Sequence, residues 1–559
     1  MYRMHSLLRG LLPGLLPGLP PGLLRGLPPG LLRVLPPGLP PARRPRIAFV
    51  LFLCCAAAFT FVAAAPAAPA TNRYSVAVVV VPRFDPATYA GRGAVGLLVP
   101  GAGATVSRER ALASLVSGRV VSSLVGLDSK PTLHLSDTPA ETTIYVALPP
   151  PGSHRNGVRY PVAIVGPGYR GLLTSRSTRI DGLVSLADIA PTAAAIMGGA
   201  TPQIRARDDL HAAATLAGLD SDLARAHDAR TGATLCLIGW LVVFSTLGIV
   251  AGSALAGRAA VLVAPVALTT AILLRAVGID DPSIVVMALA LAIGAGSFLL
   301  AVRPGILVPA VCAFLVGFLL TLAFRPGMNA LAVIGPHPDG GGRFYGITNA
   351  VETLLLAPAL AVASLAGVAG AAVIGVLLLV TVGWSRTGAD GGGVLVVASG
   401  FAVLLAGMTR TRLTPVRIAV GVLCIVTLAT AIIGLDALLG GSSHVTHAVG
   451  GGPGTLVDDF DRRLRISWAW VTSTRFTAIL CVLSLGGLGW IGVRGRHSFV
   501  IVAALVAVGV SLAVNDTPVD VLGYGALGCL ALTAWEETRT SVLHEASSRW
   551  SRRRNEHAA

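Results

Sequence analysis

The sequence predicts an α-helical polytopic membrane protein with an α/β domain placed ahead of most of its spans. Three observations carry this. Between Gly232 and Trp535 one apolar run follows another, each near the length needed to cross a bilayer. The short loops between these runs alternate in charge sign. Ahead of them lies one long polar stretch in which short β-branched runs alternate with helical patterns.

Composition agrees. Of 559 residues, 54% are hydrophobic and only 13% charged, with a mean hydropathy of +0.75. A soluble chain carries about a quarter charged residues. The formal net charge is +16. In a soluble protein that excess suggests nucleic acid. Here the arginines flank apolar runs, so the expected partner is the bilayer with its anionic inner leaflet, and no nucleic acid. Lys130 is the only lysine, so arginine carries nearly all the positive charge. The seven cysteines lie in apolar runs without zinc-type spacing, and read as small buried hydrophobes.

Along the chain, residues 1–46 are a Pro/Gly/Leu/Arg repeat, too rich in proline for a helix and expected to be disordered. Arg43, Arg44 and Arg46 then precede an apolar stretch, 47–68, which ends in small residues. It reads either as a signal peptide or as a first transmembrane anchor, and both send the next domain outside. Residues 71–232 are the α/β domain. Its expected strands are YSVAVVVV, VGLLV, TIYVAL and PVAIVG; its expected helices are Ser107 to Ser117 and Leu183 to Met197. Arg205 to Arg230 is expected to be a helical stalk. Eleven further spans are expected, at about 233–255, 259–276, 283–302, 305–323, 350–368, 370–384, 393–409, 417–439, 476–494, 498–514 and 518–536. With the N-terminal segment the total is about twelve. Residues 537–559 form a basic tail.

The loop charges orient this count. With 71–232 outside, the inner loops hold Arg258, Arg303, Arg410, Arg412, Arg417, Arg494 and Arg496, and the tail holds Arg549 and Arg552 to Arg554. The outer loops hold Asp280, Asp281, Asp516 and Asp520. Lys/Arg excess marks the cytoplasmic side, so both termini are expected inside if the first span is retained.

Two stretches resemble known families. GLLTSRSTRIDGLVSLADIAPTAAAIMGG, Gly171 to Gly199, resembles the last part of alkaline-phosphatase-superfamily domains. The resemblance implies that fold. It does not imply hydrolysis: that chemistry needs an Asp after the first strand, where this chain has Pro82, and no D-H-G precedes the stretch. The domain is therefore expected to be degenerate. GGRFYGITNAVETLLL, Gly341 to Leu356, resembles the R-F/Y-Y-G-I-G-N-E segment of uncharacterised bacterial multi-pass proteins with phosphatase-like outer domains. Here Ala350 follows Asn349, and the acid, Glu352, comes two residues later. The resemblance implies a bacterial plasma membrane and carries no activity.

Three outer loops hold the candidate chemistry. Arg343, Tyr345, Asn349 and Glu352 stand where a loop enters a span. A carboxylate one turn into a membrane helix is costly unless paired or functional. Glu352 therefore reads either as part of a site for a polar head group or as an N-terminal acid favoured by the helix dipole, with Arg343 beside it. In WSRTGADGGG, Arg386 and Asp390 precede three glycines that open the next helix, an arrangement for holding an anion or an ordinary flexible turn. SSHVTHAVGGG carries His444 and His447, a weak metal candidate because no HExxH frame supports it; the expected cofactor is none. Asp458 to Trp470 is expected to be an amphipathic interfacial segment.

The leading expectation is a transferase or ligase for a lipid-linked glycan or polymer of the cell envelope. Glu352 and Asp390 are the candidate catalytic residues; Arg343, Tyr345, Asn349 and Arg386 are the candidate substrate-binding ones. The alternatives are a transporter or flippase, and a non-enzymatic envelope scaffold or sensor. An outward interfacial pocket favours transfer, and a mid-membrane cavity favours transport.

Overall fold

Short runs of Val, Ile and Leu bounded by Gly and Pro need burial on both faces, and they build the sheet. The computed structural model describes residues 75–121, 132–340, 343–412, 414–438 and 453–556. The 1–46 repeat, the 47–68 segment and the His444/His447 pair lie outside the described residues.

The first domain runs β1 (Val76–Val81), α1 (Ala87–Ala90), β2 (Ala94–Val99), β3 (Thr105–Ser107), α2 (Arg108–Ser117), β4 (Thr142–Ala147), β5 (Ser153–Arg155), β6 (Tyr160–Val165), β7 (Gly171–Ser175), β8 (Leu183–Ser185), α3 (Ile189–Met197) and β9 (Ile204–Arg207). Its mixed seven-stranded sheet has the order β1-β4-β6-β2-β7-β9, with β8 also on β2. β1 runs parallel to β4, while β6 is antiparallel to both β4 and β2. β3 and β5 form a separate ribbon.

Strand β2 is buried at every residue. Ala94 and Leu98 face one side, packed with Leu115 of α2 and Ile189 of α3. Val95, Leu97 and Val99 face the other. That second face is covered by Leu216, Leu219 and Leu223, which fall at helical spacing on α4 (Ala212–Ala251). Burying each such leucine contributes about 2 kcal/mol.

Two elements differ from the sequence reading. Arg205 and Arg207 lie in β9, paired with β7, and the helix starts only at Ala212. Leu183 to Ser185 form β8 rather than the first turn of a helix, because pairing with β2 satisfies their backbone.

Helix α4 has 40 residues, so it is about 60 Å long and serves as sheet cover, stalk and span without a break. The chain continues through α5 (Ala254–Ala276), α6 (Pro282–Val302), α7 (Leu307–Phe324), α8 (Pro326–Ala330), α9 (Asn349–Leu365), α10 (Gly367–Gly383), α11 (Gly391–Met408), α12 (Pro415–Leu438), α13 (Pro453–Thr472), α14 (Arg475–Arg494), α15 (Phe499–Val514) and α16 (Pro518–Glu556). Among the described residues, eight helices are long and apolar enough to cross a membrane. The other three apolar stretches, α9, α10 and α15, are helices of 17, 17 and 16 residues. The chain is a polytopic membrane protein with a mixed α/β sheet domain.

The loops sort by end. Loops 277–281, 331–340, 343–348, 384–390 and 515–517 meet at the end of the bundle that faces the sheet. Arg225 pairs with Asp280 at 2.6 Å, and Asn156 Nδ2 donates to Gly340 O at 3.1 Å. Arg179 Nη1 donates to Ser385 O at 2.5 Å. The opposite end carries Arg258, which donates to Ala301 O at 2.8 Å, and the Arg494–Glu537 pair.

Small residues allow the helices to approach closely. A Cβ on Gly294 of α6 would lie 2.3 Å from the Trp240 ring of α4, whose Nε1 donates to Ala290 O at 2.8 Å. Gly294→Ala should therefore lower the thermal midpoint of the detergent-solubilised protein, at a cost of about 1–3 kcal/mol. Gly239→Ala, where an added Cβ meets nothing within 4 Å, should leave it unchanged. Equal midpoints for both variants would contradict the α4–α6 packing.

Candidate functional site

The site is built from the N-terminal ends of two membrane helices. Thr348 caps α9, its side chain accepting from Val351 N at 3.2 Å. Asp390 caps α11, with Oδ1 accepting from Gly393 N at 3.1 Å. Glu352, in the first turn of α9, is fully buried. Its neighbour is the glycine run that opens α11: a Cβ on Gly393 would lie 2.8 Å from Glu352 Oε2. Two positive helix ends thus stand near one carboxylate.

Neither carboxylate oxygen of Glu352 has a hydrogen-bond partner. Asn515, which caps the end of α15, is the polar side chain that faces it, but its amide nitrogen donates to Ser511 Oγ at 2.8 Å. A buried polar group left unpaired costs about 1–3 kcal/mol, so Glu352 departs from the rule that buried polar groups are satisfied.

Asp390 is fully engaged. Its Oδ2 accepts from Arg343 Nη1 at 2.9 Å while Oδ1 holds the helix cap. Arg343 also donates to the carbonyls of Ile347 and Ala389. It therefore ties the 343–348 loop to the 384–390 loop. Gly346 makes that approach feasible, since its φ is +82° and a Cβ there would lie 2.3 Å from Gly388 O.

The sheet domain reaches into the same junction through Arg179. This residue adopts φ 55°, in the left-handed region. Its guanidinium lies 3.9 Å from the centroid of the Tyr345 ring and donates to Ser385 O at 2.5 Å. The turn that presents it is fixed from within. Thr178 Oγ1 donates to Leu183 O at 2.6 Å, and Ser175 Oγ and Ser177 Oγ both donate to Asp188 Oδ2. The two stretches singled out for their resemblances thus touch each other directly.

Of the candidate residues, Arg343 and Asp390 pair, and Glu352 stands beside them. Tyr345 is buried beneath Arg179. Asn349 is turned to another partner, its Nδ2 donating to Thr517 Oγ1 at 2.9 Å. Arg386 is exposed, stacked 6.0 Å over the Trp384 ring, and takes no part in the Arg343–Asp390 pair. The cluster is packed closed over Glu352 rather than opening as an outward pocket.

Sequence reasoning missed three groups. Arg179 was visible inside the stretch Gly171 to Gly199, but nothing local marked its target. His227 and Arg230, half-buried, and Asp339, buried, form a second knot where the stalk meets the 331–340 loop. Arg230 binds both Asp339 oxygens at 2.7 Å, and His227 Nδ1 lies 2.6 Å from Oδ2. Burial pushes the Asp339 carboxyl up, but the hydrogen bonds and charge of Arg230, with His227, hold it well below the usual carboxylate range. His337 sits beside this knot with Nδ1 buried and unpartnered. Burial first, then the charge of Arg230, pushes its imidazole down to about 4.

Among the described residues no three His, Cys, Asp or Glu side chains are grouped as a metal site. The metal centre of the phosphatase superfamily does not fit here: Pro82 and Arg83 follow β1, and the cavity beside them is lined by arginines and no carboxylate. No protein-family model matches the chain, and comparison with curated proteins and with solved structures finds no match.

The depressed His337 imidazole fixes the sign of a pH effect. Between the ordinary value of 6.5 and about 4, the unfolded chain takes up a proton that the folded one refuses. Stability should therefore fall as pH is lowered across that window, by about 3 kcal/mol, and level off below it. The depressed Asp339 carboxyl loses its contribution only at still lower pH. His337→Phe should flatten the fall between pH 6.5 and 4 in thermal unfolding; a fall as steep as that of the wild type would refute the assignment.

Proposed function

We propose that this chain is a bacterial plasma-membrane transferase or ligase for a lipid-linked glycan or polymer, with its site at Glu352, Arg343 and Asp390. In this reading the arginine-rich end of the bundle is cytoplasmic, the sheet domain is a degenerate phosphatase-like fold outside the membrane, and the spans number about twelve. The resemblance to multi-pass proteins with phosphatase-like outer domains belongs to the same reading.

One observation carries it: a fully buried membrane carboxylate with no hydrogen-bond partner, beside a half-buried arginine that can release its present partner. Structural acids are normally satisfied. An unsatisfied one, held by two helix ends and a docked domain, is poised for something that arrives. The chemistry follows from the residue types. A lipid-linked phosphate competes with Asp390 for Arg343, since guanidinium binds either oxyanion in the same forked manner. That exchange parts the 343–348 and 384–390 loops and uncovers Glu352. Glu352 takes the proton of an acceptor hydroxyl, whose oxygen bonds to the sugar carbon. The bond from that carbon to the lipid phosphate breaks, and Arg343 steadies the departing phosphate.

The surroundings suit an amphiphile. Helix α13 carries exposed Leu464 and Trp468 beside Arg462, Arg463 and Arg465. Arg463 Nη1 donates to Val514 O at 2.8 Å, one residue from Asn515.

The closed packing around Glu352 favours a second reading, in which Arg179 and the Arg343–Asp390 pair transmit a signal from the sheet domain and no reaction occurs. Glu352→Gln separates the two. For a transferase, the variant should reach the membrane at wild-type level with an unchanged thermal midpoint, and its envelope lipid and polymer profile should match that of a deletion strain. A variant with a wild-type profile would overturn the transferase reading.

A further inference from the structure

A cavity of about 650 Å³ opens at the carboxyl ends of the parallel strands β1 and β4, remote in sequence from the Glu352 site. Ligands of open α/β sheets bind at this end of the strands. The lining is unusual in its charge. Arg83, Arg108 and Arg155 contribute guanidinium groups, His154 an imidazole, and no carboxylate lines the cavity.

Each of these groups is held by an element. Arg83 follows the end of β1. Arg108 opens α2 directly after its cap Ser107, and its Nη1 donates to Pro149 O at 3.3 Å. Arg155 and His154 stand on β5, in register with Thr105 and Val106 of β3. His154 Nε2 lies 2.9 Å from Pro151 O, which fixes its ring. Arg155 is followed by Asn156, whose Nδ2 donates to Gly101 O, Gly103 O and Gly340 O at 2.9, 2.9 and 3.1 Å. The cavity wall is thereby anchored to the membrane bundle.

Solvated arginines spread over a surface need no explanation. Here Arg83 and Arg155, both exposed, and Arg108, half-buried, reach one concavity from three elements, with the positive end of a ten-residue helix among them, so the concavity favours an anion. Arg83 and Arg155 have no ion-pair partner among the described residues. The floor is apolar and aromatic, formed by Val80, Leu148 and Tyr160, as suits the face of a sugar ring rather than a bare ion.

We infer that this cavity binds an oxyanion-bearing sugar, the guanidinium groups gripping the phosphate or carboxylate and the apolar floor receiving the ring. Phosphate and carboxylate forms share this chemistry, and the test separates them. The full chain, in nanodiscs of zwitterionic lipid, is titrated with glucose 1-phosphate, glucuronate, inorganic phosphate and glucose. One of the two sugar anions should bind saturably and more tightly than inorganic phosphate, and glucose should not bind. Affinity should fall as salt is raised from 0.05 to 0.5 M, roughly, as the Debye length shrinks. Arg108→Gln and Arg155→Gln should each weaken binding at least about tenfold while the circular dichroism spectrum and thermal midpoint stay those of the wild type. Glu352→Gln should bind as the wild type does, so failure here is separable from failure of the transferase reading. No saturable binding of either sugar anion, inorganic phosphate binding as tightly as they do, or undiminished binding by both folded arginine variants would each overturn the inference.

Discussion

The junction of this protein depends on the ion pair between Arg343 and Asp390. Asp390 has two duties. One oxygen caps α11, and the other holds Arg343. Arg343 in turn binds two loop carbonyls and so draws together the loops that open α9 and α11. With those loops together, Gly346 packs on Gly388, Tyr345 is set beneath Arg179, and Glu352 is shut away from water. A pair of this kind, partly buried and bonded on several sides, gives little net stability against an apolar substitute. It is strongly felt when one partner is removed, because the other charge is then stranded.

The sheet domain is therefore not a ball on a flexible stalk. One of its faces is closed by α2 and α3, the other by the first turns of α4 and by Phe344 and Tyr345 of the membrane loops. Neither face of β2 is left for water. Because α4 runs unbroken from the sheet into the bundle, a tilt of the sheet domain is transmitted directly to a membrane helix. Arg179 and the Asp339 knot both tie the sheet domain and stalk to the membrane loops. Arg179 touches both loops, so parting them moves it off Tyr345 or breaks its bond to Ser385.

Much of the fold was legible because helices and buried strands are local patterns. All eleven apolar stretches became helices, since each run satisfies its own backbone. The strands Val76–Val81, Thr142–Ala147 and Tyr160–Val165 were visible as β-branched runs. β8 and β9 were not, because strands of three and four residues exist only by virtue of the partner they pair with. In the site, Arg343, Asp390 and Glu352 could be grouped on cost alone: charges at the membrane boundary cluster or leave. Arg386 could not be excluded by that argument, since an arginine within a short loop reaches either water or a partner. Arg179, His227 and Asp339 lay in polar segments, where nothing in the neighbouring residues shows what lies across the fold. The closed state of the cluster was equally invisible, because it depends on Gly346 admitting the backbone of Gly388 and Gly393 admitting the Glu352 side chain.

The most direct test of this account is a double-mutant cycle on the full chain in detergent, using Arg343→Met, Asp390→Asn and the two together. Asparagine keeps the cap on α11, so the cycle isolates the ion pair. The account predicts that each single change lowers unfolding stability and that the double variant is less destabilised than the sum, with a coupling of about 1–3 kcal/mol. Additive losses, agreeing to within about 0.5 kcal/mol, would show that the two side chains do not act on each other, and would contradict the junction described above.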